Sequence, residues 1–224
     1  MHAKSSRSPF AARATCAVAL VLACVDHTAA AAPPAEWNFA VRLDGKPIGT
    51  HRFVLAGADD GSLALTSEAQ FNVSVLGVPL YRYRHRVNER WTGGCLAAIE
   101  ARTDDNGQLT EVLGQVLQGR FDLKVRGGGR SPPVAPPSGC VMSFAYWNPA
   151  LSRQKQLLDP GSGRIETVVM ATPSAIPGDL QSEAVRGLRI SGLPQAIDVW
   201  YVGDHWVGLD TTVSDGRRLS YRLN

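Results

Sequence analysis

Two titratable side chains stand on one face of a single predicted strand: His85 and Glu89, in the stretch LYRYRHRVNERW from Leu80 to Trp91. Successive strand side chains point to opposite faces, so Tyr81, Tyr83, His85, Val87, Glu89 and Trp91 share one face, and Arg82, Arg84, Arg86, Asn88 and Arg90 share the other. A histidine and a carboxylate could work as base and acid on an ester or a glycan. Four residues of strand, however, separate them by roughly 13 Å, too far for a direct hydrogen bond. The first face is aromatic at both ends and is expected to point inward. Its polar members then either line a cavity or are satisfied by neighbouring strands.

The arginine row is expected to be a solvated face paired with acids such as Glu68 and Glu100. No aromatic residue interleaves with it, so the stacking platform of a single-strand nucleic-acid binder is missing, and no nucleic-acid partner is expected. Of the other histidines, His51 lies on the second predicted strand and His205 in a Gly203-Asp204-His205-Trp206 turn. None forms an i, i+2 or i, i+4 ligand pair, so no metal or cofactor is expected. G-x-S-x-G and H-E-x-x-H are absent after residue 32, and the protein is expected not to be an enzyme. A hydrolase using His85 and Glu89 is the third reading. Tryptophans recur beside strand ends (Trp37, Trp91, Trp147, Trp200, Trp206), either as core or as the lining of a pocket for an acyl chain or sugar.

These residues need elements to position them, and the first thirty-two residues supply none. Lys4, Arg7 and Arg13 precede an apolar run from Ala14 to Val25, followed by small residues up to Ala32, the pattern of a cleaved secretory signal peptide. A minor alternative is a lipobox at Val21-Leu22-Ala23-Cys24, leaving a lipid-anchored Cys24. The chain carries 23 basic and 20 acidic residues; losing Lys4, Arg7, Arg13 and Asp26 leaves 20 against 19, so net charge argues for no polyanion. Cys95 and Cys140 are then the only cysteines, and in an exported protein they are expected to form a disulfide. The location expected is the periplasm or the exterior, and no later run is long enough to span a bilayer.

Residues 33–224 are expected to form one β domain. Period-two alternation recurs from Trp37 onward, with Asp44-Gly45, Asp59-Asp60-Gly61, Gly93-Gly94 and Asp104-Asp105-Asn106-Gly107 as turns. Lys46-Pro47 suggests a turn longer than two residues, and Gly77-Val78-Pro79 a break or bend. The stretch 127–139, rich in glycine and proline, is expected to be a mobile surface loop. Phe144, Trp147, Leu151 and Leu158 suggest one short helical segment near 141–158, with Asn148-Pro149 opening it. The fold class expected is all-β: a strongly curved antiparallel sheet of about ten strands, a half-barrel or barrel.

The ordered set LDGKPIGTHRF, YRYRHRVNERW, GGCL, the T-x-D-N-G turn, FAYWNP, LLDPGSG, IDVWYVGDHWVGLD and LSYRL resembles a family of exported bacterial proteins known only as a domain of unknown function. The resemblance implies a periplasmic, β-rich protein without an assigned activity, and it carries over no functional residues. The plan is also similar to envelope lipoprotein-carrier half-barrels. The first expectation is therefore that the concave face binds a lipid or another amphipathic small molecule through Tyr81, Tyr83, His85, Glu89, Trp91, Trp147, Trp200 and Trp206. The alternative is an envelope accessory with a filled core that docks a protein partner.

Overall fold

The computed structural model describes residues 35–128, 139–182 and 184–224 of the 224-residue chain. The signal peptide, the Cys24 alternative and most of the 127–139 loop lie outside the described residues. Seven strands follow one another as a meander: β1 (Ala35–Leu43), β2 (Lys46–Gly57), β3 (Leu63–Val75), β4 (Val78–Thr92), β5 (Cys95–Asp105), β6 (Gln108–Leu117) and β7 (Arg120–Gly127). Two short strands, β8 (Gln156–Leu158) and β9 (Ile165–Thr167), form a separate pair. A second meander follows: β10 (Val169–Ala171), β11 (Val185–Ser191), β12 (Ile197–Val202), β13 (His205–Thr212) and β14 (Arg218–Leu223).

The two meanders fuse because β1 pairs with β14, Phe39 opposite Leu223. The result is one twelve-stranded antiparallel sheet in the order β10-β11-β12-β13-β14-β1-β2-β3-β4-β5-β6-β7, open between β10 and β7. The all-β expectation holds, with the sheet curved but not closed. The strand count exceeds the expected ten because β8, β9 and β10 have three residues each, too few for alternation to register.

Five hairpins of the first meander turn in two residues, both at positive φ: Asp44-Gly45, Leu76-Gly77, Gly93-Gly94, Asn106-Gly107 and Gln118-Gly119. That is the type I′ requirement, which matches strand twist. The longer turn expected at Lys46-Pro47 is not formed. Lys46 already pairs with Leu43, and a register shift between Val41 and Arg42 accommodates Pro47 opposite Arg42. The bend expected at Gly77-Val78-Pro79 is a hairpin turn one residue earlier, with β3 and β4 paired from Val75 and Val78 onward.

The expected helical segment is mostly irregular. Its only helical piece among the described residues is a 3₁₀ turn at Pro149–Arg153, where the Asn148 side chain accepts the Ala150 N–H. The remainder cannot be an amphipathic helix, because it is buried on several sides: Val141, Met142, Ala145, Leu151, Leu157, Leu158 and Val168 share one cluster with inward residues of the sheet such as Phe39, Phe53, Val87, Ile99 and Trp206. The chain from residue 141 to β10 thus fills the hollow of its own sheet. Cys140 bonds to Cys95 at the start of β5, and the Leu96 N–H donates to the Val141 carbonyl at 2.8 Å, so the filling segment is pinned where it enters.

Candidate functional site

Register sorts the inward side chains of β1 to β6 into layers across the sheet. The row nearest the β3–β4 turn runs Val41, Gly49, Phe71, Tyr83, Asp105, with Tyr221 of β14 beside Val41. Next comes Phe39, His51, Ala69, His85, Thr103, Thr110, then Trp37, Phe53, Ser67, Val87, Ala101, Val112, then Leu55, Leu65, Glu89, Ile99, Gly114. The second row is polar, and the rows beside it are largely aromatic and aliphatic.

His51 and His85 stand on either side of Ala69, whose methyl group leaves room between the rings. His51 Nε2 lies 2.7 Å from Ser67 Oγ, and His85 Nδ1 lies 2.8 Å from Thr103 Oγ1. Burial pushes both imidazoles below their ordinary range; His51 is also held down by His85, and His85, lowered to about 4, is partly raised by Asp159. Both rings are therefore neutral. His51 stacks on Phe53 at 4.0 Å between centroids, while its Nδ1 is buried without a partner. A serine–histidine contact of this kind lacks the third group that would orient the ring for nucleophilic work.

The loop LDPGSG covers this end of the interior. Asp159 accepts the Gly161 N–H at 2.9 Å and the Ser162 hydroxyl at 2.6 Å. Gly163 sits at φ +73°, and a Cβ there would lie 2.3 Å from Val125 Cγ2, so only glycine lets the loop settle onto β7. Burial raises Tyr83, with Tyr221 and Asp159 adding to the effect.

Glu89 lies two layers away and is buried. The Trp91 indole N–H donates to its carboxylate at 2.9 Å. Burial pushes Glu89 up to about 7, against the hydrogen bonds of Ser143 and Trp91, which favour the carboxylate. His85 and Glu89 are therefore each bonded elsewhere, and the acid–base pair allowed by sequence does not assemble.

The other sequence candidates separate. Trp91 meets Trp147 edge to face at 5.3 Å, and the Trp147 Nε1 is buried without a partner. Trp206 packs against Phe39, Phe53 and Tyr146 at 4.3, 4.9 and 5.1 Å. Trp200 does not join them. In β12 the inward residues are Ile197, Val199 and Tyr201, and Trp200 has the opposite parity, buried on the outer face with its Nε1 donating to Asp210 at 2.7 Å. There a Cβ at Gly187 would meet both the Trp200 ring and Pro173 at 2.6 and 2.7 Å, so the chain after β10 folds over that face. Asp210 also accepts from Arg218 and Arg222, and Arg222 reaches Asp179 in the covering segment.

The arginine row faces outward, with Arg82 paired to Asp104 and Arg86 to Glu68. A surface depression of about 560 Å³ lies along β4 to β7, among Asn88, Arg90, Glu100, Leu113, Gln115 and Lys124, and of the concave candidates only Glu89 belongs to its lining. Among the described residues no group of three or more His, Cys, Asp or Glu side chains is placed to hold a metal ion.

Tyr81 belongs to a different feature. β3 and β4 are the longest strands, and β2 stops pairing with β3 at Phe71 while β5 stops pairing with β4 at Tyr83. The last backbone tie is the Asn106 N–H to the Arg82 carbonyl at 2.8 Å, and the Tyr81 side chain still bonds to Asp105 of β5. Beyond it the hairpin projects as a two-stranded arm, roughly 15 Å to its turn at strand rise. Its tip is apolar: Leu76 is 99% exposed, Val78 and Leu80 58% each, and Tyr81 36%. Sequence reasoning passed over this tip because it took Val78-Pro79 as a bend. It also set His51 aside and did not single out Ser67 or Thr103, since only the register brings the three into the polar interior.

A family profile described as a domain of unknown function, DUF6134, matches residues 39–224. A crystal structure of a β-barrel-like protein of domain of unknown function DUF1849 from Brucella abortus is similar in fold, with a TM-score of 0.57 at 13% identity over 85% of this chain and 95% of that one. No curated protein sequence matches the chain.

Proposed function

Because the chain belongs to the DUF6134 family, which brings no activity with it, we propose on physical grounds that it is an exported, non-enzymatic accessory of the cell envelope that works by docking. The observation carrying this reading is the filled hollow. Met142, Leu151, Leu157 and Leu158 of the chain's own connecting segment are essentially fully buried against the inward face where a carried ligand would sit. A lipid entering there would first have to displace that segment, which the Cys95–Cys140 bond ties down. Location in an oxidising compartment such as the periplasm is supported by the disulfide together with the amino-terminal sequence pattern.

A docking protein needs an exposed apolar feature or an unpaired edge. The β7 edge is poor for strand addition, because Arg120, Asp122, Lys124 and Arg126 crowd it with charge, and β10 is only three residues long. The β3–β4 arm remains as the docking element. Native mass spectrometry of protein purified from the envelope tests the reading: the bare chain mass is expected, and one lipid retained per chain overturns it.

A further inference from the structure

We propose that the tip of the β3–β4 arm inserts into the interface of a phospholipid bilayer, with Leu76, Val78 and Leu80 at acyl depth and Tyr81 at headgroup level. The proposal rests on the docking reading and names the partner as a membrane surface.

The turn itself is the first argument. Four of the five two-residue turns of the first meander place Asp, Gly, Asn or Gln at the first positive-φ position, whereas this one places Leu76 there, at φ +51°. A bulky residue is disfavoured in that region, where Asn or Gly folds at less cost. Leu76 therefore gains neither conformation nor burial in the isolated protein. Residues 73–81, VSVLGVPLY, contain no charge, so carrying them out of water incurs no ionic desolvation. The first charges behind the tip are Arg82, Arg84, Asp104 and Asp105, which formally cancel.

Shape chooses the occupant. The arm ends in a convex point of four apolar or amphipathic side chains, a small part of the ~800 Å² per partner that a stable protein interface buries. A bilayer needs no complementary pocket, and interfacial elements enter it by about 5–10 Å. Arg82 lies roughly 13 Å behind Val78 at strand rise, which leaves the charges at or above the headgroups. Tyr81 pairs with Val73 just below, an aromatic ring with a polar end where such residues favour the membrane boundary.

Purified protein is floated with vesicles of phosphatidylethanolamine and phosphatidylglycerol, and with vesicles of phosphatidylcholine alone. Binding to both is expected, changing less than about threefold between 0.15 and 0.5 M NaCl, because the charges near the tip cancel. The triple variant Leu76→Asn, Val78→Thr, Leu80→Ser, checked for an unchanged circular dichroism spectrum, is expected to partition on the order of 100-fold more weakly. An environment-sensitive fluorophore at position 76 of the otherwise unchanged protein should blue-shift on vesicles. Wild type that ignores both vesicle types overturns the proposal, and so does tip-dependent self-association without lipid. A lipid held inside the sheet by the triple variant would instead overturn the docking reading and leave the arm's behaviour to be judged by flotation alone.

Discussion

Replacing Glu89 by Gln should remove a pH dependence of stability that the wild type carries above pH 5. Burial raises the carboxyl to about 7 in the folded protein, against 4.5 in an exposed one. Between those values the unfolded chain has released the proton while the folded one still holds it, so stability falls as pH rises, and the loss is complete above the folded value. At 1.36 kcal/mol per pH unit the site costs about 3 kcal/mol when fully ionised, of which about 2–3 kcal/mol develops between pH 5 and pH 8. Gln keeps the shape and an oxygen to accept the Trp91 N–H, and its amide can meet Ser143. His51 and His85 also titrate against folding, with the opposite slope, but they lie in other layers and cancel when variant and wild type are compared at each pH. Urea unfolding of both proteins at pH 5, 6, 7 and 8 is the assay. The variant is expected to gain about 2–3 kcal/mol relative to wild type across that range, and a difference flat to about 0.5 kcal/mol would refute the burial argument. Glu89→Ala removes the same titration but strands the indole N–H, so it should lie about 1–3 kcal/mol below the Gln variant at every pH.

Replacing Cys95 and Cys140 together by Ser should lower stability by about 4 kcal/mol, from a sequence separation of 45 residues, read as a shifted urea midpoint. Gly163→Ala combines a left-handed backbone with overlap at Val125 and should cost about 3 kcal/mol, read in the same way. The His85 ring should stay neutral in NMR titrations until the pH approaches 4, and the protein should lose stability as the pH falls from 6.5 through that value; an imidazole titrating near 6.5 contradicts its burial. Trp200→Phe should destabilise by about 1–3 kcal/mol by leaving Asp210 one donor short, with no change in the tryptophan contacts on the concave side.

Parity made β4 readable before any coordinates: Tyr83, His85, Val87, Glu89 and Trp91 do face inward. The same rule would have removed Trp200 from the concave set, since Val199 and Tyr201 flank it, but residue type was allowed to outweigh position. The 3.6-residue spacing of Phe144, Trp147, Leu151 and Leu158 misled for a physical reason. A segment buried on several sides has no solvent face, so its apolar residues carry no periodic information. The meeting of His51 with His85 across Ala69 depends on register between strands far apart in sequence, which turn lengths fix and alternation alone does not. The filled hollow was the least accessible feature, because nothing local distinguishes a strap over the outside from a plug within.

The pairing of β1 with β14 also bears on how the chain reaches this structure. Phe39 waits for Leu223, so a polypeptide emerging amino-terminus first can complete its first seven-strand meander long before that seam can be sewn. Throughout that interval Phe39, Val41 and Leu43 sit on an open strand edge, the situation that invites intermolecular pairing. Slow, concentration-sensitive refolding is expected, and variants that weaken β14 should lower yield more than they lower the stability of protein already folded.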